Sequence, residues 1–237
     1  MIGGAVGDAL GWPVEFKSKR QIFSKYWPDG IKQYNLNTSG KAEVTDDTQM
    51  ALYTANKLLY GETMRALKGE IHQPRYYVAI AYQDWLYTQD AINDCETSYR
   101  PDGVSWLNDI RELWARRAPG GTCLNALRLQ NKAPGGVKGY IEARLNNSKG
   151  CGGIMRVAPR GLRHWDDMKA LDYESAQLAA ITHGHSLGYM PAAVLVHIIN
   201  RIVYPNDEGK TLKAIILEAR NTIVVIFSDD PFLPIEI

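Results

Sequence analysis

Cysteine is scarce, net charge is nearly absent and no apolar run is long enough to cross a bilayer, and each shortage removes a class of protein. The three cysteines, Cys95, Cys123 and Cys151, are odd in number, widely spaced and free of any paired zinc-type motif. That fits small, reduced, buried thiols better than a disulfide framework. The 27 Lys and Arg residues nearly cancel the 26 Asp and Glu residues, so no broad footprint for nucleic acid or an anionic membrane is expected, although a local anion site remains compatible with the balance. The opening Met1-Ile2-Gly3-Gly4-Ala5-Val6-Gly7-Asp8 lacks the basic start of a secretory signal, and with no membrane-length run the expected location is cytoplasmic. Internal repeats and low-complexity linkers are also missing, and strand-like runs are scarce before residue 222.

What the 237 residues do contain is helical periodicity and 45% hydrophobic content, enough to bury one sizeable core. Ile2, Val6 and Leu10 share a face of a short glycine-rich helix that Gly11-Trp12-Pro13 ends. Residues 15–44 lose the period and are punctuated by Pro28, Asp29, Gly30 and Gly40, which predicts a long loop with at most one helical turn. A helix over about residues 47–60 follows, striped by Ala51, Leu52, Ala55, Leu58 and Leu59 and stopped at Gly61. Val78, Ala81, Tyr82 and Trp85 mark a further helix, and Trp106, Ile110, Leu113 and Trp114 another, with these tryptophans expected in the core. Shorter helices are predicted after Thr122 and near Asp172, and a longer one after Ser186. The β-branched run Thr222-Ile223-Val224-Val225-Ile226-Phe227 reads instead as a strand.

Thr45-Asp46-Asp47-Thr48-Gln49 is the sharpest local feature, with two carboxylates and hydroxyls gathered at one helix start. One reading is capping, with Thr45 or Asp46 accepting from free amides, Gln49 completing a box and the charge complementing the helix dipole. The other is a hard-cation site, because magnesium prefers oxygen ligands and such a cluster supplies part of a shell. Asp8 and Glu15 form a second acidic region; each is singly explicable as a solvated or hydrogen-bonded acid, but their approach to Asp46 and Asp47 would favour a bound cation or a raised carboxyl pKa. Ser148-Lys149-Gly150-Cys151-Gly152-Gly153-Ile154-Met155-Arg156 is either a packing turn or an anion nest ahead of a helix start. Arg117-Ala118-Pro119-Gly120-Gly121-Thr122-Cys123 repeats that pattern before a capped helix. Of the two histidines in Thr182-His183-Gly184-His185-Ser186, His183 reads as a hydrogen-bond donor to a ligand and His185 as structural, since no spacing supplies further zinc ligands. Arg156 reads as half of a structural ion pair.

Taken in order, Gly7 to Gly11 with Glu15, Thr45 to Thr48, Ala118 to Cys123, Ser148 to Arg156 and Thr182-His183 resemble the ADP-ribosylglycohydrolase family, over about residues 2–200. The resemblance implies an all-α, orthogonal multi-helix bundle with long loops lining a cleft. It implies a single domain over residues 1–237, shortened at the carboxyl end, with residues 222–237 an atypical tail. Its expected activity is release of ADP-ribose from a protein side chain or small molecule by magnesium-assisted cleavage of a glycosidic bond. Residue by residue, it casts Asp46, Asp47 and Glu15 as catalytic and Thr45, Asp46 and Asp47 as metal ligands. Gly120, Gly121, Thr122, Ser148, Gly150, Cys151, Gly152 and His183 become the contacts to substrate.

Members of that family carry a second Asp-x-Asp-Ser/Thr motif near the carboxyl end and bind two magnesium ions. No such motif occurs here, and Ser228-Asp229-Asp230-Pro231 has the wrong order. One ion or none is therefore expected, and two alternatives stand beside the hydrolase: an ADP-ribose-binding module without turnover, or part of a split or truncated protein.

Overall fold

A computed structural model describes residues 1–69, 72–91, 105–132 and 139–231. Among these the protein is all-α, with helices α1 (Ile2–Gly11), α2 (Lys19–Tyr26), α3 (Asp46–Lys68), α4 (Pro74–Ala91), α5 (Gly121–Lys132), α6 (Met168–Ala180), α7 (Ser186–Val203) and α8 (Leu212–Ile226). Short 3-10 segments join them, and the β contacts among the described residues are two isolated bridges, Leu36 with Ala42 and Tyr140 with Ala143.

The core lies where α3 packs on α4, and where α7 meets α6, α8 and the 3-10 segments Cys151–Arg156 and Ala158–Leu162. Met50, Tyr53, Tyr82, Trp85, Leu127 and Leu178 are fully buried there. Gln49 is matched within it, accepting from the Trp85 indole at 3.0 Å and donating to the Ala115 carbonyl at 2.8 Å, as burial of a polar side chain demands. His197 Nδ1 lies 2.7 Å from Asp172 Oδ2, both fully buried, and fastens α7 to α6.

Helix α3 runs through Gly61 rather than stopping there. A Cβ on Gly61 would sit 2.6 Å from the Tyr77 ring, so this glycine lets α4 approach and its role is packing. The true stop is Gly69, whose φ of 69° is the left-handed conformation glycine adopts without penalty. Asp46 and Asp47 in the first turn and Arg65 and Lys68 in the last complement the dipole.

Residues 15–44 hold a two-turn helix, α2, that loop punctuation hides; Ser18 and Gln21 form a complete capping box at its start. The stretch 106–114 is two 3-10 segments rather than one α-helix, and Trp106 is exposed while Trp85 is buried. In α1 only Ala9 is buried, with Ile2 and Val6 left exposed. Helix α6 starts earlier than expected, capped by Asp167, whose carboxylate accepts from Ala170 N at 3.0 Å. Cys123 is buried as expected but Cys151 is exposed, and Cys95 lies outside the described residues. By length and composition, α7 does qualify as a possible membrane span. Half of that stretch is buried in the protein, with His197 and Asn200 inside, and core packing accounts for its apolarity.

The strand expected at residues 222–227 is helix α8. Ile215, Ala219, Ile223 and Phe227, spaced by four, are its buried residues, and Phe227 packs against Tyr173 of α6 and Tyr189 of α7. Burial of that stripe overrides the weak β-preference of Thr, Ile and Val, while Thr222 returns its hydroxyl to the Glu218 carbonyl at 3.0 Å. A strand would place positions 223 and 225 on one face. Here Ile223 is 5% exposed and Val225 57%. Ile223→Ala is accordingly expected to cost about 2–4 kcal/mol in denaturant unfolding and Val225→Ala less than about 0.5 kcal/mol; equal losses would restore the strand reading. Residues 232–237 of the expected tail lie outside the described set.

Candidate functional site

The start of α3 is built by two segments distant in sequence. Asp8, on α1, accepts from Thr45 N at 2.8 Å, Thr45 Oγ1 at 2.8 Å, Thr48 N at 3.2 Å and Thr48 Oγ1 at 2.6 Å. Thr45 in turn is the N-cap, accepting from Asp47 N at 3.3 Å. The expected capping box with Gln49 does not form, since that side chain is spent on Trp85 and Ala115; Asp8 performs its task from 37 positions away. With the hydroxyls and amides so occupied, the carboxylates of Asp46 and Asp47 are left for other work.

Asp46 faces the 117–120 loop. Its backbone N donates to Arg117 O at 3.3 Å and its Oδ2 accepts from Gly120 N at 3.0 Å. Ala118 holds φ at 47°, the one non-glycine residue in the left-handed region among those described. Such strain costs on the order of 1–3 kcal/mol and collects at functional loops; here it turns the Gly120 amide toward Asp46. Arg117 anchors the loop's other side, donating to Val44 O at 3.1 Å and to Glu43 at 3.0 Å.

The second glycine loop closes onto the first. Thr122 Oγ1 lies 3.4 Å from Ser148 Oγ, which accepts from Gly150 N at 3.3 Å. A Cβ on Gly120 would lie 3.6 Å from Cys123 Sγ and 3.8 Å from Asp46 Oδ2, and one on Gly152 would lie 3.1 Å from Cys123 Sγ and 3.2 Å from His183 Nε2. Asp46, Gly120, Cys123, Gly152 and His183 therefore follow one another in close succession, with Thr122, Ser148 and Gly150 alongside. Cys151 is exposed at the start of the 3-10 segment that replaces the expected α-helical start, and Gly121 opens α5 with no neighbour within 4 Å of a built Cβ.

Glu15 sits exposed just after the 3-10 segment Trp12–Val14. Its carboxyl is raised by partial burial and by the charge of Asp8. Burial lifts Asp46 to about 7 against the Gly120 hydrogen bond, with Asp47 and Glu15 adding to the rise. Asp47 is lifted to about 6 by partial burial and then by Asp8 and Glu15. Four carboxylates thus share one field, and no Lys or Arg nitrogen lies within 4 Å of any of them among the described residues. No three His, Cys, Asp or Glu side chains among those residues are gathered closely enough to form a complete metal cage. Magnesium does not require one, since it keeps several waters and needs only one or two carboxylates; an all-oxygen donor set with uncompensated charge fits such an ion.

Beside Glu15 an open groove of about 460 Å³ is lined by Trp12, Pro13, Phe16, Leu36 and Glu43. A separate apolar hollow of about 300 Å³ lies between Ala55, Leu58, Tyr77 and Leu162 and contains none of the expected site residues.

Two further residues of the site carry no local signal in the sequence. Asn146 accepts from Ser148 N at 3.0 Å and Gly184 N at 3.2 Å and donates to Thr182 O at 2.8 Å, tying the two loops together. Arg156 makes no ion pair among the described residues, contrary to expectation; it is fully buried and donates to Thr182 Oγ1 at 2.6 Å and to the carbonyls of Leu178 and Ala179. His185 is structural, its Nδ1 accepting from Leu187 N at the start of α7. Asp230 is engaged by Ser186 and Tyr189 rather than by the acidic hollow.

The all-α fold sets the acidic start of α3 against a backbone amide of the 117–120 loop. The chain belongs to the ADP-ribosylglycohydrolase family, whose model matches residues 1–230. It is 28% identical over 231 residues to the ADP-ribosyl-dinitrogen reductase glycohydrolase of Rhodospirillum rubrum, covering 94% of this chain and 61% of that protein. It is also 28% identical over 224 residues to the uncharacterized protein YegU of Escherichia coli K12, covering 91% of this chain and 55% of that protein. The chain thus spans little more than half the length of these curated relatives.

Proposed function

We propose that this protein hydrolyses the glycosidic bond joining ADP-ribose to a protein side chain or small molecule. The observation that carries the reading is the 3.0 Å hydrogen bond from Gly120 N to Asp46 Oδ2, which sets the acidic helix start against the glycine loops. Family membership and the activity for which the R. rubrum relative is named support the same reading.

In this mechanism the amides and hydroxyls of the 120–122 and 148–152 loops receive the diphosphate and ribose oxygens, as glycine nests receive anions. His183 adds a neutral donor, because burial and the Arg156 charge hold its pKa near 4. Burial raises the Asp46 carboxyl to about 7 in the metal-free protein; with a cation bound the carboxylate would be held ionised, able to orient the attacking water and accept its proton. Glu15 adjoins Phe16 in sequence, and the groove lined by Trp12, Phe16 and Leu36 would receive the departing side chain. Magnesium, held by Asp46 and Asp47 with Thr45 and water completing its shell, would supply Lewis acidity and orient ribose hydroxyls.

The test is release of ADP-ribose from mono-ADP-ribosylated protein in magnesium, comparing wild type with Asp46→Ala, Asp47→Ala and Glu15→Ala. Wild-type release with losses of about a hundredfold or more in the Asp variants is expected. Equal release from all four would remove these acids from the mechanism. ADP-ribose binding by calorimetry without any turnover would favour the binding-module reading instead.

A further inference from the structure

We infer that Arg156, acting through Thr182, locks His183 in the tautomer that carries its proton on Nε2, so that Arg156 and Thr182 are positioning residues for the ligand hollow. The inference rests on the proposed ADP-ribose site for its ligand, but on hydrogen-bond geometry for the relay.

A guanidinium has five donors and no acceptor. Arg156 NH2 lies 2.6 Å from Thr182 Oγ1, so the hydroxyl oxygen accepts there and its one proton must go elsewhere. Its two other neighbours are His183 Nδ1 at 2.8 Å and Cys123 Sγ at 4.0 Å. Sulfur at that distance is a poor acceptor. The proton therefore goes to Nδ1, which must be bare, and the ring proton of the neutral imidazole sits on Nε2. A protonated Nδ1 would instead leave the Thr182 proton with only the sulfur.

Nε2 points to the cradle. A Cβ on Gly150 or on Gly152 would each lie 3.2 Å from it, and it has no hydrogen-bond partner among the described residues. A donor aimed at two bare glycines leaves room for an oxygen acceptor, such as a phosphate or ribose oxygen of ADP-ribose.

The cost of Arg156 agrees with such a role. It is fully buried, without a carboxylate partner among the described residues, and its charge is met by the α6 carbonyls of Leu178 and Ala179, by the Tyr82 ring face 4.3 Å away and by the sulfurs of Cys123 and Met50. A buried charge without an ion pair is expensive, and packing alone is served better by a neutral side chain. The guanidinium supplies what a neutral side chain cannot: an obligatory donor to Thr182, with a charge that opposes protonation of His183.

The test uses the intact chain labelled with ¹⁵N in its histidine rings, with His183→Gln assigning the resonance. In wild type, His183 is expected to show a protonated Nε2 and a bare Nδ1. Thr182→Val, nearly isosteric, is expected to populate the other tautomer and to weaken ADP-ribose binding about tenfold in calorimetry. Thr182→Ser, which keeps the hydroxyl, is expected to restore both to within twofold. A wild-type resonance protonated on Nδ1, or identical tautomer populations in the Val and Ser variants, overturns the relay. Should wild type bind no ADP-ribose, the ligand role and the proposed function fail together, while the tautomer measurement still decides the relay.

Discussion

Asp46→Asn is expected to melt roughly 5–10 °C above wild type at pH 8 with a chelator present and, assayed in magnesium, to release ADP-ribose at least about a hundredfold more slowly. The stability gain follows from the carboxyl's position: it is 3% exposed, and its pKa stands at about 7 instead of 3.8. Holding it ionised costs on the order of 2–4 kcal/mol after allowance for water at the cleft. Asparagine keeps an oxygen for Gly120 N and removes the charge. A raised carboxyl pKa means that the folded chain retains a proton which the unfolded chain releases. Its stabilising contribution is complete below pH 3.8, declines as pH rises and is lost above about 7.

The gap between variant and wild type should therefore open across that window and close below about pH 4. His183 has the opposite sign: its pKa is lowered from 6.5 to about 4, so stability is lost as pH falls through that range. Both chains share that loss, and it cancels in the difference. On the proposed role of magnesium, adding the ion should raise the wild-type melting temperature and leave the variant nearly unmoved. A variant less stable than wild type at pH 8 would show that Asp46 is held without penalty.

Gly184→Ala is expected to lower the melting temperature by roughly 3–10 °C and to weaken ADP-ribose binding at least about tenfold. A Cβ at this position would lie 2.3 Å from the backbone oxygen of Asn146 and 3.0 Å from the Arg144 side chain. Backbone cannot swing aside as a flexible side chain can, so the 144–148 strip must move. Asn146 moves with it, and its links to Ser148 N, Gly184 N and Thr182 O all pass through that strip. Gly150→Ala is the informative contrast. Gly150 has an ordinary φ of −64°, and its Cβ would meet only the His183 ring and Ser148 Oγ, at 3.2 and 3.4 Å. Binding should weaken there while the melting temperature stays within about 2 °C. Equal melting temperatures for Gly184→Ala and wild type would show that the strip is free to shift.

The legible parts of this protein were those governed by neighbouring residues. Thr45 caps α3 through an amide two positions away, and the stripes of α4 and α7 repeat with the helical period. Asp46, Gly120, Ser148, Gly152 and His183 could be named as candidates because their blocks, taken together and in order, resemble the family's motifs, whereas singly each block also reads as a cap or a packing turn. The helix 222–226 was misjudged because β-preference is a local quantity worth tenths of a kcal/mol, whereas Ile223 and Phe227 are buried by α6 and α7, which lie elsewhere in the chain. Gly61 was taken for a stop because the Tyr77 ring that requires it belongs to the next helix.

By itself, then, the sequence determined that the protein is helical, where most helices lie and which residues are candidates for the site, since periodicity, capping and residue type are written within a few positions of one another. Only the tertiary structure decided that Asp8 completes the cap of α3, that Asn146 ties Ser148 to Gly184, and that Arg156 stands behind Thr182 and His183. The long-range contacts among these join residues 26 to 40 positions apart. No local pattern encodes them, because each exists only once the helices have packed and excluded the water that would otherwise satisfy the same polar groups.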